Sequence, residues 1–185
     1  MTDRPTAMTT DLATHAGPAL AETTLTAFVL EHYDRLLGLA RLVCRDVTDA
    51  SDAVQAGLEQ AWRRRDTLRD GDRLRPWLDR IVVREAIRIS RRRTSWLQRI
   101  TSTSAEVGWL EPVAPGADVE PALAALRESF ARLPADQRAV VALHHHLGYS
   151  VAETAGIVGA PVETVRTRLR RATDRLRRDL EEGER

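Results

Sequence analysis

The chain of 185 residues contains no lysine and no asparagine, has one cysteine, and is poor in aromatic residues. Each absence excludes something. With Cys44 as the only thiol no internal disulfide can form, which fits a reducing interior, and its setting, LARLVCRD, is that of an inert buried thiol. No apolar run approaches the roughly 18 residues of a membrane span, and the first residues lack the apolar core of a signal peptide, so the expected location is the cytoplasm with no membrane insertion. No glycine-rich phosphate loop, nucleophile elbow or carboxylate pair stands out, so neither an enzyme nor a bound cofactor is expected. Without lysine, all 28 basic residues are arginine, a bias that GC-rich codon usage also produces, so their number says little.

Their placement says more. Residues 1–62 hold 9 acids against 4 arginines, whereas residues 63–93 hold 12 arginines against 5 acids. Residues 161–178 hold 7 arginines against 2 acids, and the last seven residues, DLEEGER, carry four acids. A formal net charge of +1 thus conceals two basic segments behind an acidic first third. Such patches are the footprint of a polyanion partner, with a solvated helix face as the plainer alternative.

No strand-like alternation occurs anywhere, and the periodicity predicts an all-α chain of two small helical domains. Residues 1–24 read as a flexible arm. Residues 25–93 predict three helices: one carrying Leu25, Phe28, Val29, Leu36, Leu39, Ala40 and Val43, one from about Asp49 to Asp66, and one starting near Pro76. On the third, Trp77, Leu78, Ile81, Val82, Ala86 and Ile89 face inward, and Arg80, Arg84, Arg88 and Arg91 form a stripe on the other side. Residues 94–118, rich in Ser, Thr, Pro and Gly, read as a linker in which Trp96, Leu97, Trp109 and Leu110 either dock on a surface or form a short helix. Residues 119–182 predict about four helices, with helical starts at Pro121 and Pro134 and a capping box at Ser150 and Glu153.

The last of these helices follows the hinge Gly159-Ala160-Pro161. Val162, Val165, Leu169, Ala172, Leu176 and Leu180 fall on one side, with Glu163, Thr164, Thr167, Arg170, Arg171 and Arg178 roughly opposite and Arg166 flanking them. A capped helix, a short turn and a second helix with Arg and Thr near its start have helix-turn-helix form. Arginine suits guanine edges and phosphates because its planar fork donates two parallel hydrogen bonds. The histidines at 144–146 invite a metal hypothesis, but adjacent helical residues point about 100° apart and no further ligands are near, so no metal site is expected.

The segments DASDAVQAGLEQAW (49–62), RPWLDRIVVREAIRISRRR (75–93) and LPADQR…GYSVAETAGIVGAPVETVRTRLRRATDRLR (133–177) resemble, in order and spacing, regions 2 and 4 of bacterial sigma factors of the extracytoplasmic-function group. The resemblance implies a two-domain initiation factor that binds core RNA polymerase, recognises −35 and −10 promoter elements and promotes melting between them. It places docking on the polymerase β′ coiled coil at Asp49, Asp52 and Gln55, on a helix acidic enough to repel DNA, and implies a second polymerase contact at the β flap. It places −10 contacts at Leu68, Arg80, Arg84, Arg88 and Arg91, and −35 contacts at Arg166, Thr167, Arg170 and Arg171. An anti-sigma factor is an implied partner. Arg84 stands where many relatives have Asn, and Leu68 where an aromatic is frequent; both departures bear on which −10 base is accepted. Glu163 stands where Gly is frequent and either reads a cytosine amino group or favours the helix dipole. The competing reading is a helix-turn-helix regulator that binds duplex DNA without polymerase, which leaves the acidic second helix and the 75–93 segment without a purpose. A protein-only adaptor with merely solvated arginines is a third reading.

Overall fold

Helix α1 (Pro18–Cys44) is the first element of a computed structural model that describes residues 18–68, 73–101 and 121–183. It begins inside the stretch expected to be an arm: Pro18 is tolerated in a first turn, and the Ala-Leu-Ala-Glu run behind it consists of strong helix formers. Residues 1–17 lie outside the described residues. The helix ends at Arg45, which holds a left-handed φ of 68°. Asp46 then starts α2 (Val47–Arg63), its carboxylate accepting from the Asp49 backbone N–H at 3.0 Å.

The buried side of α2 is built from Ala50, Ala53, Val54, Gly57 and Ala61, residues small enough to let this helix lie close to its neighbours. After a 3₁₀ turn at Arg65–Thr67, α3 (Leu74–Thr101) completes a three-helix bundle around Leu36, Leu39, Val43, Leu78 and Val82. Helix α3 runs eight residues past the expected boundary at 93. Serine and threonine there resemble tether composition, yet Thr94 donates its hydroxyl to the Ser90 carbonyl one turn back at 2.9 Å, which lets a polar residue ride a helix. Trp96 therefore lies on a helix, mostly exposed, while Trp109 and Leu110 fall outside the described residues.

The C-terminal half comprises α4 (Pro121–Arg132), α5 (Ala135–Val141), α6 (Val151–Val158) and α7 (Val162–Gly183). Helix α5 continues into a π-helical turn at Ala142–His146, closed by the Leu147 N–H on the Ala142 carbonyl at 3.0 Å. The capping box forms as expected: Ser150 Oγ accepts from the Glu153 N–H at 3.2 Å, and the Glu153 carboxylate accepts from the Ser150 N–H at 2.8 Å. Gly159, at φ 72° and ψ 42°, ends α6 in the left-handed region that a side chain resists. Among the described residues there is no strand, in agreement with the all-α expectation.

The two halves do not hang apart. The C-terminal half has a small core of its own in Val140, Ala155, Val165 and Leu169, but Ala139, Ala142, Leu143 and Ile157 join the core of the N-terminal bundle. This explains why Val83 and Ile87 on α3 are buried although the expected inward face did not include them: α3 is covered on a second side by α5 and α6.

Candidate nucleic-acid interface

Helix α7 divides as its spacing predicts. Val165, Leu169 and Ala172 are buried, and Val162, Leu176 and Leu180 are half-buried. Arg166, Arg170 and Arg171 are exposed on the other side, with Thr167 half-buried beside them. Arg166 pairs with Glu163 one turn earlier, so that carboxylate faces a guanidinium as well as the helix start. Arg168 turns inward instead, 3.7 Å from Asp136. Arg170 and Arg171 form no ion pair among the described residues.

The stripe on α3 is continuous in space, and two of its members reach into the C-terminal half. Arg84 donates from Nε to the Ile157 carbonyl at 2.9 Å and from Nη2 to the Gly156 carbonyl at 3.1 Å, a cation on the open carbonyls at the end of α6. Burial, with the neighbouring charge of Arg80 behind it, holds Arg84 below the usual arginine range. Arg91 grips Asp136 with both Nε and Nη2, at 3.1 and 2.8 Å. Arg88 pairs along its own helix with Glu85, and Arg80 is exposed. Leu68, at the end of the 3₁₀ turn, is half-buried against the bundle core.

The three acidic-helix residues differ from one another. Asp52 and Gln55 are exposed, Gln55 donating to Glu59 at 3.3 Å. Asp49 is tied to Arg93 at 2.9 Å, which also meets Asp46 at 3.3 Å and so fastens the start of α2 to α3.

Sequence reasoning missed the polar joint between the halves. Asp79 is fully buried and accepts from both Arg35 Nη atoms, at 3.0 and 2.6 Å, and from the Tyr149 hydroxyl at 2.7 Å. Burial and the Asp79 carboxylate push the Tyr149 phenol well above its ordinary range. The Tyr149 carbonyl in turn accepts from His144 Nδ1 at 2.7 Å, so one histidine of the triplet turns inward while His145 and His146 remain exposed. Arg138, almost fully buried, donates from Nε to the Val43 carbonyl at 3.0 Å and from Nη1 to the Leu133 carbonyl, capping the ends of α1 and α4 together. Burial and the charge of Arg45 push its guanidinium down to about 10. The one signal in the sequence was Asp79 itself, an acid inside the apolar run WLDRIVV. Trp62 is a further exposed group beside the basic stretch, with the Arg65 guanidinium 4.9 Å above its ring.

A helical bundle carrying an arginine stripe, followed by a helix-turn-helix, is the build of a DNA-binding transcription protein. The family model for sigma-70 region 2 matches residues 28–97, and that for sigma-70 region 4 matches residues 123–176. The chain is 38% identical over 154 residues to the extracytoplasmic-function RNA polymerase sigma factor SigM of Mycobacterium tuberculosis, covering 80% of this chain and 73% of that one. It is 32% identical over 177 residues to SigL of the same organism, covering 92% and 97%. Among solved structures, the sigma factor RpoE in complex with the anti-sigma factor NepR, from Bartonella quintana, superposes with a TM-score of 0.67 at 26% identity over 84% of this chain and 96% of that one. The chain belongs to the extracytoplasmic-function sigma factors of the sigma-70 family and is a polymerase-associated transcription initiation factor. No helix of the described residues is long and apolar enough to cross a membrane.

Proposed function

We propose that residues 25–93 act as the module that binds polymerase and the −10 element, that residues 119–182 bind the −35 element, and that the segment between them spans the two. Asp52 and Gln55, exposed on the acidic α2, dock on the β′ coiled coil, with Asp49 holding α2 in place through Arg93. Arg80, Arg84, Arg88 and Arg91 hold the backbone of the opened −10 strand beside Leu68, and Arg166, Thr167, Arg170 and Arg171 enter the −35 major groove. The contacts at both elements offset unstacking, which costs a few kcal/mol per step. Bond making in RNA synthesis belongs to the polymerase, which also offers the C-terminal half its β flap; the protein works in the cytoplasm, and an anti-sigma factor restrains it.

The observation that carries this reading is the division of α7 into a buried apolar side and an exposed arginine side on which Arg170 and Arg171 form no ion pair among the described residues, within a chain of this family. The test is co-elution of the chain with core RNA polymerase beside an Asp52→Ala/Gln55→Ala variant, followed by transcription from a promoter mapped in cells. Co-elution that the variant loses supports the assignment. Intact protein that ignores an active core and binds duplex promoter DNA alone points to the stand-alone regulator.

A further inference from the structure

The outward arginines near the start of α7 are not equivalent. Arg170 and Arg171 form no ion pair among the described residues, whereas Arg166 is paired through Nη1 with Oε1 of Glu163, one turn nearer the helix start. Both side chains of this couple are largely exposed, at 62% and 77%, so it stands open to a ligand instead of serving the packing. On charge alone a carboxylate is out of place here. It repels DNA phosphates, and it repels any base edge that presents an acceptor.

The contact leaves most of both groups free. Nε and Nη2 of Arg166 and Oε2 of Glu163 have no hydrogen-bond partner among the described residues. A guanidinium held against a carboxylate offers donors beside an acceptor. In the major groove a G·C pair shows the complement, the N7 and O6 acceptors of guanine beside the N4 amino donor of cytosine. An A·T pair would set thymine O4, an acceptor, against the carboxylate, and a reversed pair would set the cytosine amino group under the arginine. The carboxylate thus acts as a repulsive element against the wrong pairs as well as an attractive one for the right pair. Residues 163 and 166 lie near the N-terminus of α7, the end of a recognition helix from which side chains reach base edges.

We propose that Glu163 is a specificity-determining residue of the −35 contact: it orients Arg166, and the two together read one G·C base pair, Arg166 donating to guanine and Glu163 accepting from the amino group of its cytosine partner. This rests on the −35 assignment above. The test uses polymerase holoenzyme formed with the full chain and a library of one mapped promoter randomised over its −35 element, with the bound fraction sequenced. The parent is expected to prefer G·C at one position by about tenfold. Glu163→Gln, which keeps the size and removes the charge, is expected to cut that preference to about twofold and to leave the other positions as they were. Arg166→Ala is expected to lose the preference at the same position. Replacing that guanine by 7-deazaguanine, which lacks the N7 acceptor, should weaken binding of the parent and leave Arg166→Ala unaffected.

A uniform change of affinity in Glu163→Gln with an unchanged base profile reflects only charge at the helix start and overturns the couple. Shifts at two different positions in the two variants overturn it as well. If Arg166→Ala leaves the profile intact, the −35 assignment of that arginine falls too. If Arg166→Ala shifts one position and Glu163→Gln shifts none, the assignment stands and the couple alone is lost. Circular dichroism checks that both variants fold.

Discussion

Gly57 on α2 lies directly against Val82 on α3: a Cβ at position 57 would sit 3.0 Å from Val82 Cγ2 and 3.3 Å from its Cα. The second distance matters more, because a backbone atom cannot rotate away. Gly57→Ala is expected to push the two helices apart and to cost about 1–3 kcal/mol, despite alanine's better helix propensity. Urea unfolding gives the value. Pairing it with Val82→Ala should recover only part of the loss, since the Cα remains.

Arg45 is the one non-glycine residue at positive φ among those described, and its charge presses on the buried Arg138. Arg45→Gly relieves both and is expected to stabilise the protein by about 1 kcal/mol, a left-handed residue other than glycine costing roughly 1–2 kcal/mol. Arg45→Ala removes the charge and keeps the backbone strain, so a thermal melt of the two variants separates the causes.

Burial pushes the Cys44 thiol up from 9.0 to about 11. Between those values the unfolded chain has lost this proton and the folded chain retains it, so stability is fully present below about pH 9 and falls as pH rises toward 11. The expected loss is on the order of 2–3 kcal/mol, and the raised Tyr149 phenol adds to it in the same direction above pH 10. Denaturant midpoints measured from pH 8 to 11 should flatten in Cys44→Ala and leave only the tyrosine contribution.

Arg170 and Arg168 sit two residues apart and are placed differently, Arg170 exposed and Arg168 turned toward Asp136. Arg170→Ala is expected to weaken holoenzyme binding at the −35 element and to lower the salt slope by about one if it meets a phosphate. Arg168→Ala, which removes the inward contact with Asp136, should leave that slope unchanged. Promoter binding titrated across salt concentrations distinguishes them.

The faces of α7 and the start of α6 were legible because a 3.6-residue period and a capping box are local signals. So was the bundle: Leu36, Leu39, Val43, Leu78 and Val82 occupy the core that their spacing implies. Composition misled where polar residues sit on a helix, as Thr94 does by bonding to Ser90. It was silent on pairings between distant residues. Nothing in the spacing tells that Asp79 meets Tyr149, or that Arg84 closes α6, because those contacts depend on how two separately periodic halves come together. The π turn at 142–146 was invisible for a similar reason, since one extra residue per turn leaves composition unchanged. For the residues proposed to meet DNA and polymerase the sequence offered charge and spacing, and the structure adds that Asp49, Arg84 and Arg91 have partners inside the protein.

The joint between Asp79 and Tyr149 spans 70 residues of chain, and that between Val43 and Arg138 spans 95. On the ribosome, at roughly 5–20 residues per second, several seconds pass between synthesis of the bundle and synthesis of the helices that cover it. The three helices, whose contacts are the more local, are expected to fold first. Every new molecule thus passes through a brief youth in which its N-terminal arginines are bare and its C-terminal half does not yet exist.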